Sequence, residues 1–419
     1  MAIVRPFRGV RYNTEQVLLK NVITPPYDVI TPEMRAAYVA KSPYNVALID
    51  LPVGGDDRYA VAGNLYRKWK DEGILVKDKD KSFYLYEQVY EYGGKTYVRS
   101  GFVGALKLSE FGKGQVYPHE KTLSGPKADR YELMKASKAN FSQIFGLYQD
   151  NENRLSALFN DVKKTMPSAS AIDEAGVKHS VWAISDEEDI TKIESFMRDK
   201  AIYIADGHHR YETALKYRDD MRAQEGLTEG EERNYDYVMM MFVNFMDEGL
   251  KVFPTHRVID VADNFEDKEF LDYAASLFEV HKLENREMAE KFLKDNVNHP
   301  GAWVFYGKQG IYSMNLLQEA IENQHPVYRK VSTYLLEDLV LKGYFKYSDE
   351  RLLAKAGIHF IQSWEEIDEY RKDHSAVAFI LNGENMESIR DVSESGLVMP
   401  QKSTYFYPKL ATGLLFNDL

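Results

Sequence analysis

The sequence predicts an α+β (mixed α/β) protein, and three observations carry that prediction. Strand-like and helix-like patches alternate along the chain, no fixed-period repeat is visible, and an aromatic-polar alternation brackets a Gly-Gly turn near residue 93. The chain has 419 residues, of which 44% are hydrophobic and 28% charged, an ordinary globular mix. At roughly 100–200 residues per domain, this length predicts two or three of them.

The elements follow in order. Thr24-Pro25-Pro26-Tyr27-Asp28 reads as a rigid architectural turn, since proline fixes φ. Phe83 to Tyr92 and Thr96 to Leu108 alternate aromatic with polar residues around Gly93-Gly94, the pattern of a β-hairpin. A charged loop over 119–130 precedes a helix from Tyr131 to Asn140. Ser180 to Ile184 reads as a strand and Ile190 to Met197 as a helix. Ala201 to Ala205 is again strand-like and runs through Asp206-Gly207 into an amphipathic helix ending near Met221.

Tyr237 to Phe245 has the continuous apolar run of a buried strand, and Leu250 to Val261 is expected to pair near it. A second hairpin is predicted at Trp303 to Met314, and a helix–strand–helix at Ser363 to Ser395. Pro400 to Lys409 has neither helical nor strand period and reads as a specific loop. Composition shifts near residues 151–153 and 263–267 divide the chain into three expected domains, 1–150, 151–262 and 263–419.

Charge and residue usage exclude several function classes. With 53 Lys+Arg against 65 Asp+Glu the formal charge is -12, which opposes general binding to DNA or an anionic membrane. The absence of cysteine removes disulfides, thiolate metal sites and thiol nucleophiles. The N-terminus has no signal-peptide pattern, and the most apolar stretch, Tyr237 to Met246, is far below the roughly 20 residues that span a bilayer, so a cytoplasmic protein is expected. Aromatics reach 13%, with 29 Tyr and 21 Phe, and are assigned mainly to the core. His179 stands alone and reads as structural.

The strongest chemical motif is Ile204-Ala205-Asp206-Gly207-His208-His209-Arg210-Tyr211, where a strand ends and a helix begins. A helix N-terminus presents unpaired N–H groups and the positive end of its dipole, so it suits phosphate. His208, His209 and Arg210 on its first turn would add charge-assisted donors. In the bland alternative Asp206 merely caps the helix and the basic residues are solvated. Neither G-x-x-x-x-G-K-[ST] nor G-x-G-x-x-G occurs, which sets aside a P-loop or Rossmann nucleotide site.

A second cluster, His119-Glu120-Lys121-Thr122 with Lys127 and Asp129-Arg130, offers a carboxylate for base chemistry and cations for phosphate. Thr255-His256-Arg257 ends a strand, and Lys402-Ser403-Thr404 lies in the late loop. Each alone reads as a solvated stretch, and together they join the expected phosphate-binding set.

These motifs resemble a prokaryotic family of unknown function over nearly the whole chain. The resemblance rests on Pro25 to Ile30, His119 to Thr122 with Asp129-Arg130, Asn140 to Tyr148, Asp206 to Ala214, Pro254 to Arg257 and Met399 to Gly413. Over a shorter stretch, Gly207-x-His209-Arg210-Tyr211-x-x-Ala214 is similar to the nucleotide-contacting box of ParB-like proteins, a superfamily that includes sulfiredoxin and the free-serine kinases. Asp206 to Arg210 matches the kinases' Asp-Gly-His-His-Arg stretch. The resemblance implies a ParB/sulfiredoxin-like nucleotide-binding core elaborated with further mixed sheets and helices. Two departures matter: sulfiredoxin chemistry needs a cysteine, and no helix-turn-helix is evident, so DNA is not an expected partner.

The expected function is a nucleotide-dependent phosphotransferase or hydrolase acting on a small molecule, with serine-like alcohols as first acceptors. ATP, ADP or CTP is the expected partner, with Mg²⁺ bridging the phosphates. Glu120 would take the acceptor proton beside His119, and Lys121 or Lys127 would neutralise charge. The alternatives are a non-catalytic nucleotide-binding regulator and a metal-dependent hydrolase with His119, Glu120, His208 and His256 as ligands.

Overall fold

The computed structural model describes residues 2–120, 122, 124–228 and 230–419. It has two compact units, each discontinuous in sequence. The first comprises residues 1–118, 122–251 and 408–419, and the second comprises 119–121 and 252–407. Both are mixed α/β.

The first unit is built on a nine-stranded sheet. Its strands are β1 (Val4–Arg5), β2 (Phe83–Tyr92), β3 (Lys95–Lys107), β4 (Val116–Tyr117), β5 (Ile144–Tyr148), β6 (Ala169–Ile172), β7 (Lys178–Ile184), β8 (Ile202–Asp206) and β9 (Tyr237–Asn244). The order is β4-β8-β5-β9-β3-β2-β7-β6, with β1 also paired to β3. β2 and β3 form the predicted hairpin, register Tyr84↔Val103 to Tyr92↔Lys95, and Gly93 and Gly94 both take positive φ at the turn. β9 is buried at every position because it lies between two strands, parallel to β5 and antiparallel to β3. Strands on either side of residue 150 are therefore hydrogen-bonded neighbours in one sheet.

Helices α1 (Arg58–Asp71), α2 (Ser124–Ser137), α3 (Glu187–Met197) and α4 (His208–Glu225) belong to this unit. One core cluster gathers Phe102, Phe242, Ile144 and Ile204 from the sheet with Ile193 of α3 and Tyr211 of α4. The stacked Phe102 and Phe242 rings lie 5.1 Å apart at its centre. The helix expected at 131–140 starts earlier, at Ser124, so Lys127, Asp129 and Arg130 are helical rather than loop residues. Pro126 in the first turn did not prevent this, because first-turn N–H groups have no intrahelical acceptor to lose. His179 is fully buried, with Nδ1 2.7 Å from the Tyr86 hydroxyl and Nε2 3.0 Å from Asp173, as its structural reading requires.

The second unit holds an antiparallel sheet of six strands, β10 (His256–Asp260), β11 (Phe278–Leu283), β12 (Ala302–Tyr306), β13 (Ile311–Leu316), β14 (Ile358–Ile361) and β15 (Ala376–Ile380), in the order β11-β13-β12-β15-β10-β14. Adjacent residues bury opposite faces. Ile259, Trp303 and Phe305 join α5 (Asp267–Ala274) in one cluster, and Val258, Val304 and Ala378 join α6 (Arg286–Asp295) and α7 (Trp364–Asp373) in another. The hairpin at 303–314 and the helix–strand–helix ending in α8 (Met386–Glu394) are as predicted.

Two expectations are corrected here. The strand predicted to lie near β9 instead contributes β10, which pairs with β15 and β14 in the second sheet. Apolar pattern says that a strand is buried but does not name its partner. Within the late loop, Tyr405–Tyr407 is a short strand, β16, and the Tyr407 ring stacks on Phe253 at 4.8 Å.

Candidate functional site

The junction of β8 and α4 is shaped by two backbone irregularities. The register between β8 and β5 shifts between Ile204 and Asp206, a bulge that re-aims the strand end. Gly207 then adopts φ +95°, a left-handed conformation that glycine takes without penalty, and the 18-residue α4 begins at His208. Gly207, at the N-cap position, has no side chain with which to cap the helix. Its first-turn N–H groups have no acceptor within the helix.

Arg210 folds back over Gly207, where a Cβ would come within 2.9 Å of Nη2. The guanidinium donates to the Gln143 carbonyl at 2.5 Å, to Ser142 Oγ at 3.3 Å and to Asp206 Oδ2 at 3.0 Å. Asp206 Oδ1 meets Lys409 Nζ at 3.3 Å, so one carboxylate is held between two cations. In the bland alternative Arg210 is solvated. The structure instead makes it a clamp joining the strand end to residues 142–143, because the empty space over Gly207 admits the guanidinium. His208 is buried and His209 half-buried. Tyr211 and Ala214 face the core as their spacing predicted.

A second charged group lies on α2. Arg130 is buried and donates to Asp129 Oδ2 at 2.6 Å, to the Asp50 carbonyl at 2.7 Å and to Asp50 Oδ1 at 3.1 Å. Its guanidinium lies 4.1 Å from the centre of the Tyr27 ring. Burial raises the Asp50 pKa against the opposing pull of Arg130 and Arg210, and burial pushes the Tyr27 phenol up to about 12. Arg130, Asp50, Asn140, Ser142 and Arg210 line one small cavity of about 40 Å³. Lys127 pairs with Glu212 of α4 at 2.6 Å, and Thr122 Oγ1 donates to the same carboxylate oxygen at 2.6 Å.

The first unit thus brings together Asp206, Gly207, His208, His209 and Arg210, with Lys127 and Arg130 on α2. Sequence reasoning missed Lys409, Gln143 and Asp50, and took the turn containing Tyr27 as architectural alone. Lys409 stood in the singled-out late loop; Asp50 carried no local signal.

The remaining expected residues belong to the second unit. His119 is buried, with Nε2 3.0 Å from Thr404 Oγ1, and its carbonyl accepts from Met399 N–H at 2.7 Å. Glu120 is half-buried and bridges to Met399, while Lys121 lies outside the described residues. His256 is buried, and its Nδ1 accepts from Leu381 N–H at 3.3 Å. Burial and then Arg257 lower its pKa to about 4, so it is neutral at pH 7. Arg257 donates to the Lys402 carbonyl at 3.2 Å, and Ser403 Oγ is 2.8 Å from Thr333 Oγ1. Among the described residues no three His, Asp or Glu side chains converge as a metal-binding group. Among them, too, no helix is long and apolar enough to cross a membrane.

Three solved structures are similar at low identity. A free serine kinase in complex with AMP is 14% identical over 70% of this chain and 83% of that chain, with a TM-score of 0.33. A conserved hypothetical protein from Pyrococcus furiosus is 15% identical over 71% and 89%, with a TM-score of 0.33. SbnI with a C-terminal truncation, from Staphylococcus aureus, is 9% identical over 71% and 82%, also at 0.33. No curated protein matches the chain. The family model described as "Protein of unknown function (DUF1015)" matches residues 4–334, and the chain belongs to that family.

Proposed function

We propose that the first unit binds a nucleotide through its phosphates at the start of α4, and that the protein transfers a phosphoryl group to a small hydroxylated molecule. The observation that carries this reading is the helix start itself. A long helix opens at a left-handed Gly207, which has no side chain to cap it, beside a carboxylate flanked by Arg210 and Lys409. Oriented amides and fixed cations are what a phosphate recognises. Held within a protein scaffold, they stabilise phosphoryl transfer by position and charge rather than by covalent chemistry.

Mg²⁺ would arrive with the phosphates, completing its shell with water and at most one or two carboxylates, Asp206 being the nearest candidate at the helix start. Transfer needs a general base that takes the acceptor proton as the acceptor oxygen bonds to phosphorus and the bond to the leaving nucleotide breaks; Glu120, the base expected from the sequence, belongs to the second unit and is not assigned to the helix-start site.

The test incubates the protein and Mg²⁺ with ATP, ADP or CTP and a panel of amino acids and small alcohols, with product sought by mass spectrometry. Phosphorylated acceptor is expected. Tight nucleotide binding with no product across the panel would favour the regulatory reading, and no binding would overturn the proposal.

A further inference from the structure

The second unit contains a cavity of about 450 Å³ that the proposed nucleotide site does not use. Its volume lies within the usual range for small-molecule pockets. One wall is apolar, formed by Leu341, Leu352, Ile358, Phe360 and Met399. Tyr328 and Tyr334, stacked with ring centres 3.8 Å apart, form another. Glu337, Leu341 and Lys342 reach it from a π-helical segment, Glu337–Lys342, an irregularity that recurs at functional sites.

Arg257 lines this cavity while only 2% exposed. Among the described residues its direct hydrogen bonds go to main-chain carbonyls, those of Thr255, Gln401 and Lys402. The carboxylates that favour its charge, Glu384, Glu337 and Glu120, act at longer range. A buried guanidinium without a contacting carboxylate is suited to receive one from a ligand. Beside it, Gln401 Nε2 is buried with no hydrogen-bond partner among the described residues. An acceptor oxygen placed there would satisfy both groups.

We propose that this cavity binds a small monocarboxylate with an aromatic or branched aliphatic body, the carboxylate on Arg257 and Gln401 and the body between the tyrosine stack and the leucine wall. The charge balance selects a monoanion over a phosphate. Lys342 is already paired with Asp349 at 2.7 Å and Glu337 at 3.6 Å, so the lining cations do not exceed the lining carboxylates. A dianion would bring two charges to a lining that is neutral overall, whereas a monoanion matches the single charge of Arg257.

The experiment titrates the full chain by calorimetry with 3-phenylpropanoate and 4-methylpentanoate, and with their primary amides and inorganic phosphate as controls. Both carboxylates should bind at least tenfold more tightly than the amides, and phosphate should not compete. Leu352→Trp, which fills the apolar wall without touching Arg257, should weaken carboxylate binding at least tenfold and leave nucleotide binding unchanged. Gln401→Leu should weaken it several-fold. Absence of carboxylate binding, equal binding of the amides, or binding unaffected by Leu352→Trp would each overturn the proposal.

Discussion

Replacing Arg210 by alanine probes stability and ligand binding together, because the side chain is both a clamp and part of the helix-start field. The substitution removes donors to Gln143 O, Ser142 Oγ and Asp206 Oδ2 from a side chain only 11% exposed. Hydrogen bonds involving a charged group contribute about 1.5–3 kcal/mol each, and breaking a buried ion pair costs about 3–5 kcal/mol. The contributions are not additive on one side chain, and Asp206 retains Lys409. We therefore expect about 2–4 kcal/mol of destabilisation. At roughly 2–4 °C per kcal/mol for a large domain, melting of the first unit should fall by about 4–16 °C. Arg210→Lys should recover part of this, since one ammonium cannot reach all three acceptors. Titration with ADP near neutral pH should show affinity roughly tenfold to a hundredfold weaker in Arg210→Ala, as Asp206 loses its clamp and the site a cation. An alanine variant that melts like wild type would refute the clamp, and unchanged ADP affinity would detach Arg210 from ligand binding.

Two further outcomes follow from buried charge. Because the folded pKa of His256 is lowered to about 4, below the ordinary value near 6.5, the neutral ring is favoured in the folded state. Its stabilising contribution is complete above about pH 6.5 and is lost as pH falls towards 4, up to roughly 3 kcal/mol in all. Urea midpoints measured across that window should show a slope that His256→Gln flattens. For Arg130→Met, loss of the contacts to Asp50 and Asp129 should destabilise by about 3–5 kcal/mol, read from denaturant midpoints. Adding Asp50→Asn should restore part of the loss, and a double variant no better than the single one would contradict the pairing.

The sequence by itself determined the elements whose signals are local. Alternating aromatics around Gly93-Gly94 define the hairpin because side-chain period and turn backbone are both written within a few residues. The strand-to-helix junction at Asp206-Gly207 was legible for the same reason, as was the inward stripe of Tyr211 and Ala214. Pairing across long separations was not legible. The strand at 256–260 has the same buried character whichever sheet receives it, so only the tertiary structure assigns it to β15 and β14. The identity of the charged partners was equally hidden. Lys409 reaches Asp206 across 203 positions and Arg130 reaches Asp50 across 80, and no spacing rule links residues so far apart. Sequence placed cations near a phosphate-like helix start; only the tertiary structure decided that Arg210 and Arg130 are tied to carboxylates, because a guanidinium removed from water must find its acceptors wherever the fold supplies them.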